Sequence, residues 1–385
     1  MGTERPTPLR RLRIAAVYAG AALGPLGGGV VSPMLPQIGQ SLHTSTGGAA
    51  LSLTVYMLPF ALVQLVSGTL GERWGRRRTV LVAYGVYLVA SLAAALSPNL
   101  GVFLTMRGVL GVANAFTSPL LLAGLVDMVP RHRLSRSVGL FASCQAAGQS
   151  FAPLVGGFAA VSSWRWSFVA VALVAGLLAL APPPGEARPG AEAPRWGALL
   201  SRRLALLAAA GFASYLGAAS LPFLVALYAQ EHLHARADAA GLALLGFGVA
   251  GMATGAAWGL VVDRNGARWC GAAAALITAG CVAAVGTTGS MPALALCWTA
   301  AGAAAALLNV ALQSLTASAV PSNRGGALSV VFAFRFGGAA LAPLILLPFY
   351  HVHAVLAFAV AASTLFIAVV ALIALPGDRP DPHTP

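Results

Sequence analysis

Apolar residues are not spread evenly along this chain. They gather in long blocks, separated by short stretches that hold nearly all of the charge. The blocks run roughly over 14–36, 49–71, 79–97, 100–126, 137–159, 166–182, 204–229, 239–262, 269–287, 291–315, 327–349 and 353–375. At ~1.5 Å of rise per helical residue, each is long enough to cross a hydrocarbon core of ~30 Å. The pattern predicts an all-α integral membrane protein of twelve transmembrane helices.

Composition supports this. Of 385 residues, 58% are hydrophobic and only 9% charged, against about 25% charged in soluble domains. The net charge of +13 would suit nucleic acid until the charges are located. There is no Lys, so all 23 basic residues are Arg. Nineteen of them fall in connections or termini that a twelve-helix chain places on one face, among them Arg73, Arg76, Arg77 and Arg78, then Arg264 and Arg268. Arg165 and Arg236 fall on the other face, and Arg107 and Arg335 lie inside apolar blocks. Basic residues collect on the cytoplasmic side of membrane proteins. The chain is therefore expected in the cell (inner) membrane with both termini cytoplasmic, and no nucleic-acid partner is expected. The N-terminus reads as an uncleaved start. Cys144, Cys270, Cys281 and Cys297 lie in or beside spans, so no external disulfide is expected.

Residues 182–203, PPPGEARPGAEAPRWGALLSRR, read as a cytoplasmic linker. They divide the chain into a first six-helix bundle (1–181) and a second (204–385) with a short tail. The two echo each other. GTLGERWGRRR (68–78) follows the second block and WGLVVDRNGAR (258–268) follows the eighth. Glu72 and Asp263 are 191 positions apart, and Gly68/Gly259 and Gly75/Gly266 keep that offset. Gly148 and Pro153 recur as Gly338 and Pro343 at an offset of 190. A duplicated six-helix unit places a transport site between its copies, near the bilayer midplane.

Three clusters carry candidate chemistry. In the second-to-third connection, Gly75 permits a tight turn and Gly68 a close helix approach. Glu72 can accept from the amides of a helix start. Arg76, one turn on, can hold Glu72, and Asp127 is its second candidate partner; Arg73 completes the run, and Asp263 with Arg264 echoes it. In the fourth block Arg107 precedes Gly111 by one turn. A charge at mid-span costs ~2.5–3.5 kcal/mol, so Arg107 must face a cavity or a partner; Asn114 shares its face. In the fifth block Gly139, Gly148, Ala152, Pro153, Gly156 and Gly157 form a spaced run of small residues that suits close packing around a bend.

Together these motifs resemble those of the major facilitator superfamily, and within it the twelve-helix drug:proton antiporter type, over nearly the whole chain. The resemblance implies the major facilitator fold of two pseudo-symmetric bundles. It also implies that Glu72, standing where the family usually has Asp, latches onto the start of the eleventh helix, near Arg324 to Ala327. It links Arg107 to proton coupling and the fifth-helix run to export. It implies a cavity lined by helices 1, 4, 7 and 10, with Arg107, Asn114, Tyr215 and Asn309 among its polar members. Gln145 and Gln149 can reach that cavity, and Arg335 falls opposite Gln145 under the 190 offset. Tyr215 and the glutamines suit helix–helix hydrogen bonding equally well.

None of the ten acids lies in the middle of a block, so nothing there would neutralise a lipophilic cation. The expectation is a proton-coupled exporter of a small neutral or anionic amphiphile, acting by alternating access as a monomer, with protons and the lipid bilayer as its other partners. An importer or uniporter of a small metabolite, or a membrane sensor on a transporter scaffold, are the alternatives. An enzyme is not expected, because no paired catalytic groups occur inside spans. No cofactor and no metal site are expected; His43, His232, His234, His351 and His353 fall near loops of the arginine-poor face.

Overall fold

The computed structural model describes residues 8–130, 134–185, 201–319 and 324–376, and all regular structure among them is helical. The helices are α1 (Pro8–Gly29), α2 (Leu35–Ser41), α3 (Thr46–Trp74), α4 (Arg76–Ala95), α5 (Leu100–Met128), α6 (Leu134–Ser162) and α7 (Arg165–Ala179). After the linker come α8 (Arg202–Ser214), α9 (Pro222–Glu231), α10 (Ala237–Asn265), α11 (Ala267–Val285), α12 (Met291–Ala319), α13 (Arg324–Val352) and α14 (Ala354–Ile373). Among the described residues ten helical spans are long and apolar enough to cross a membrane. The 29-residue α6 and the 15-residue α7 pack among them and complete twelve passes.

Two passes are not single helices. The first breaks after Gly27–Gly28–Gly29, turns through a short 3-10 segment at Ser32–Met34 and resumes as α2. The seventh widens into a π-turn over Tyr215–Ala219 before Pro222 starts α9. Apolar periodicity could not show either break, because both sides of each remain apolar. Elsewhere local chemistry sets the ends. Ser45, Asn99 and Ser201 cap α3, α5 and α8 by accepting from backbone amides three residues on. Gly75 (φ 93°) and Gly266 (φ 84°) make the sharp turns after α3 and α10.

The duplication is written into the helix bounds. α3, α4 and α5 begin 191 positions before α10, α11 and α12, and α6 begins 190 before α13. It extends to single contacts. A Cβ on Gly111 would lie 2.1 Å from the Tyr56 carbonyl oxygen, and one on Gly302 2.1 Å from that of Phe247. Gly148 meets the Ala22 carbonyl as Gly338 meets that of Phe212, at 2.4 and 2.3 Å. His43 and His234 both take φ 53° in the turns before α3 and α10.

Within the first half α1 packs on α5 and α6, α3 on α5, and α4 on α5 and α7; the second half repeats the scheme. The halves meet along α3 with α13 and α6 with α10. At the arginine-poor end, the far end, they are tied by Gln37 Nε2 donating to Gln230 Oε1 (3.2 Å) and Gln230 Nε2 donating to the Pro33 carbonyl (3.0 Å). Deeper in, Thr54 Oγ1 donates to the Ala340 carbonyl at 2.6 Å, and Phe60 meets Phe336 edge-on at 4.6 Å.

Candidate functional site

At the opposite, basic end the Gly75 turn sets Glu72 and Arg76 side by side. Glu72 Oε1 accepts from Arg76 Nε (2.8 Å) and Nη2 (2.7 Å), while Arg76 Nη1 donates to Asp127 Oδ2 (2.7 Å). The arginine side chain is only 3% exposed, against 44% for Asp127. The start of the linker closes over it. Pro183 packs on Gly124, the Pro184 carbonyl accepts from Arg76 Nη1 at 3.4 Å, and the Gly185 carbonyl accepts from the Arg77 amide at 3.1 Å. Nothing in the order of residues 182–185 signals that seat. These contacts all belong to the first half. The partner expected near Arg324 to Ala327 borders residues outside the described set. The close approach expected at Gly68 occurs three residues later: a Cβ on Gly71 would lie 2.4 Å from Leu120 Cδ1, whereas at Gly68 the nearest atom is 3.7 Å away. Arg73 is exposed at the same end.

The second half repeats the turn but not the ion network. Ala267 stands in place of Arg76 and Ser318 in place of Asp127. Asp263 and Arg264 are exposed, and neither forms an ion pair among the described residues.

Arg107 does not line a cavity. It is 0% exposed, and its partners are backbone carbonyls: Gly27 (2.8 Å) and Gly28 (3.3 Å) at the break after α1, and Ser52 (3.3 Å) on α3. The Tyr56 ring covers the guanidinium at 4.3 Å. The Arg-x-x-x-Gly spacing has a cause. Gly111 lets α3 approach α5 at Tyr56, which brings the Ser52 carbonyl, one turn away, within reach of Arg107. In the second half Trp298 fills the equivalent place, fully buried, with Nε1 donating to the Leu244 carbonyl at 3.3 Å. Asn114 is also buried, wedged against Gly24 of α1 and accepting from Thr117 Oγ1 at 3.2 Å.

Arg335 is different. It lies ~17 Å along α13 from the basic end, and Nη2 donates to Asn309 Oδ1 (2.7 Å) and Tyr215 Oη (3.0 Å). Its guanidinium carbon is 4.5 Å from the Tyr215 ring centre and 5.2 Å from that of Phe332. The residue is 5% exposed, and its buried Nε has no hydrogen-bond partner. Phe336 then joins Tyr215 to Phe60 of the other half. The sequence reading passed over Phe332 and Phe336, although FAFRF (332–336) places an aromatic three residues before and one after the arginine.

Helix α6 presents two stripes. Gly148, Ala152 and Gly156 face α1: a Cβ on Gly156 would lie 2.0 Å from the Val30 carbonyl. Pro153 and Gly157 face α10 of the other half, where a Cβ on Gly157 would lie 2.5 Å from the Ala237 carbonyl. Gly139 has nothing within 4 Å, so it serves no packing contact among the described residues. Gln145 Nε2 donates to Ser118 Oγ at 3.2 Å. Gln149 is exposed between the stripes, on the side opposite the outward Phe151 and Phe158, and so faces the space between the halves. At the far end Tyr350 Oη donates to Glu231 Oε2 at 2.9 Å and lies 3.3 Å from His232 Nδ1. No three potential metal ligands cluster among the described residues.

Comparison with known proteins fits this geometry. Similar curated proteins include the MFS antiporter QDR3 of Candida albicans, 26% identical over 164 residues that make up 42% of this chain and 23% of that protein. Polyamine transporter 3 of Saccharomyces cerevisiae is 29% identical over 143 residues, 37% of this chain and 23% of that one. The uncharacterized MFS-type transporter YvkA of Bacillus subtilis is 27% identical over 172 residues, 43% and 38% of the two chains. The chain thus spans well under half the length of these relatives. A bacterial homolog to the human lysosomal transporter Spinster, solved in an inward-facing and occupied conformation, superimposes with a TM-score of 0.74 at 16% identity, over 96% of both chains; this likeness is one of fold. The family model described as Major Facilitator Superfamily matches residues 17–224 and 207–385, and with it the chain belongs to that superfamily of transporters, which are not enzymes.

Proposed function

We propose that the protein exports a small neutral or anionic, moderately apolar solute by alternating access, in exchange for protons. The observation that carries this reading is Arg335. It is a permanent cation at mid-membrane, held by a hydroxyl and an amide with no carboxylate, and beside it aromatic rings bridge the two halves. The described acids Glu72, Asp127, Glu231, Asp238 and Asp263 all lie within the last or first three residues of their helices. A lipophilic cation would find no countercharge there, whereas an anion or a polarised carbonyl would find a donor. For this reason a polyamine, named for one relative, does not suit this site. The α6 run, with its close backbone contact between halves, supports export through the family resemblance. Proton exchange would fall to an acid at a helix end, Asp127 first, because arginine does not titrate.

The test is efflux from loaded proteoliposomes with matched anionic, neutral and quaternary ammonium dyes. Anionic and neutral dyes should leave, and Arg335→Gln should slow the anion most. Efflux of quaternary ammonium dyes that Arg335→Gln leaves untouched would sink the substrate reading. Efflux that continues at full rate after the pH gradient is collapsed would remove the protons.

A further inference from the structure

A groove of about 740 Å³ opens on the outside of the first half, away from the space between the halves. Its walls are α3 and α4, which both pack on α5 but scarcely on each other, and α5 is its floor. The interior is apolar, lined by Val82, Val86, Val109, Val112 and Phe116. Along α4 it runs inward from Arg78 at the basic end to Val86, ~12 Å at 1.5 Å per residue, within the ~15 Å of one leaflet in a core of ~30 Å, and its floor continues along α5 past mid-span to Thr105. Its mouth lies at the basic end. There Trp74, 56% exposed, stacks on Phe116 at 5.9 Å, and the exposed Arg78 closes the lining. Arg78 forms no hydrogen bond or ion pair among the described residues, in contrast to Arg76 two residues earlier.

We propose that this groove binds one anionic phospholipid of the leaflet at the basic end. An acyl chain lies between α3 and α4, and the phosphate sits on Arg78. Three observations meet in this groove. The groove opens on a lipid-facing surface of spanning helices, where bilayer lipid is the solvent. Its apolar length, inward from Arg78 along α4 and on along the α5 floor, takes in the whole depth of one leaflet, so an acyl chain fits it. Its only charge is a cation at headgroup depth, capped by a tryptophan of the kind that marks that interface. The occupant would hold α3 and α4 at their present separation, close to the Glu72–Arg76 network. It is independent of the transported solute and of the direction of transport.

Trp74 supplies the probe. The full chain would be reconstituted in phosphatidylcholine containing a minor fraction of phosphatidylglycerol brominated on its acyl chain. The Trp74 emission is taken as the difference between wild type and Trp74→Phe. Brominated phosphatidylglycerol should quench that emission several-fold more than the same fraction of brominated phosphatidylcholine. Arg78→Gln should bring the two lipids level, and the groove-filling Val112→Phe should weaken quenching by both. Equal quenching by the two lipids in the wild type would overturn the proposal, and this comparison needs no variant at Arg78. A preference that survives Arg78→Gln would also overturn it. So would displacement of the lipid by soluble glycerol phosphate at comparable concentration, which would mark a phosphate site without a lipid.

Discussion

Replacing Gly157 with Ala should open the far end of the molecule. Gly157 sits where α6 crosses the start of α10, with its Cβ position 2.5 Å from the Ala237 carbonyl oxygen and 3.3 Å from Asp238 Cα. A carbon–oxygen contact ordinarily settles at ~3.3–3.6 Å, so the added methyl requires the halves to separate there by about 1 Å. Overpacking of this kind costs about 1–3 kcal/mol. The contact lies between halves, so the cost falls on the far-end-closed state and not on the fold. By that amount the balance between closed and open should move by about 5–150-fold. The assay is labelling of a cysteine placed at Gln37 with a membrane-impermeant maleimide, in a background without the four native cysteines, compared between Gly157 and Gly157→Ala. Labelling should rise with little change in thermal stability. Gly156→Ala, one residue away but aimed at Val30 within the same half, should lower the melting temperature and leave labelling alone. Gly139→Ala should do neither. If Gly157→Ala and Gly156→Ala gave the same pair of effects, the assignment of the two stripes would be wrong.

Three further outcomes follow from the same geometry. Arg107→Met should cost more than Trp298→Phe in folded yield and melting temperature, because it strands the Gly27 and Gly28 carbonyls at the break after α1, at about 1–3 kcal/mol per unpaired group, whereas the Leu244 carbonyl keeps its partner inside α10. Gly266→Ala should destabilise by about 1–3 kcal/mol from its positive φ alone, since nothing lies within 4 Å of its Cβ position; an unchanged melting curve would contradict the turn. Glu72→Gln should impair transport more than Glu72→Asp, because only the second leaves Arg76 a carboxylate on that side in addition to Asp127; equal loss would show that reach matters there more than charge.

The twelve passes were legible because a spanning helix must be apolar over its whole length, and this chain concentrates its charge between them. Offsets of 190 and 191 made the duplication legible as well, from glycines whose spacing the backbone requires. What the sequence hid were partners. Arg107 called for a cavity or a partner, and a buried charge suggests a side chain as that partner. Its actual partners are two carbonyls released by the break after Gly29 and one on α3, and a carbonyl has no letter in a sequence. Trp298 could have been found by applying the 191 offset to Arg107, but an indole and a guanidinium do not look alike until both are seen donating to equivalent helices, α3 and α10. The seat of Pro183–Gly185 on Arg76 was hidden for a similar reason: a proline-rich run reads as linker whether or not it lands on something.

Arg107 and Arg335 each place a guanidinium inside one half with no carboxylate beside it. Membrane voltage therefore acts on the protein itself. A full elementary charge crossing 100 mV is worth about 2.3 kcal/mol, so two charges carried a quarter of the way in the proposed rocking of the halves would contribute about 1 kcal/mol. Even with an uncharged solute aboard, the proposed cycle should be electrically visible: its rate should track membrane potential, and synchronised turnover should leave a transient current before any net charge has been transported.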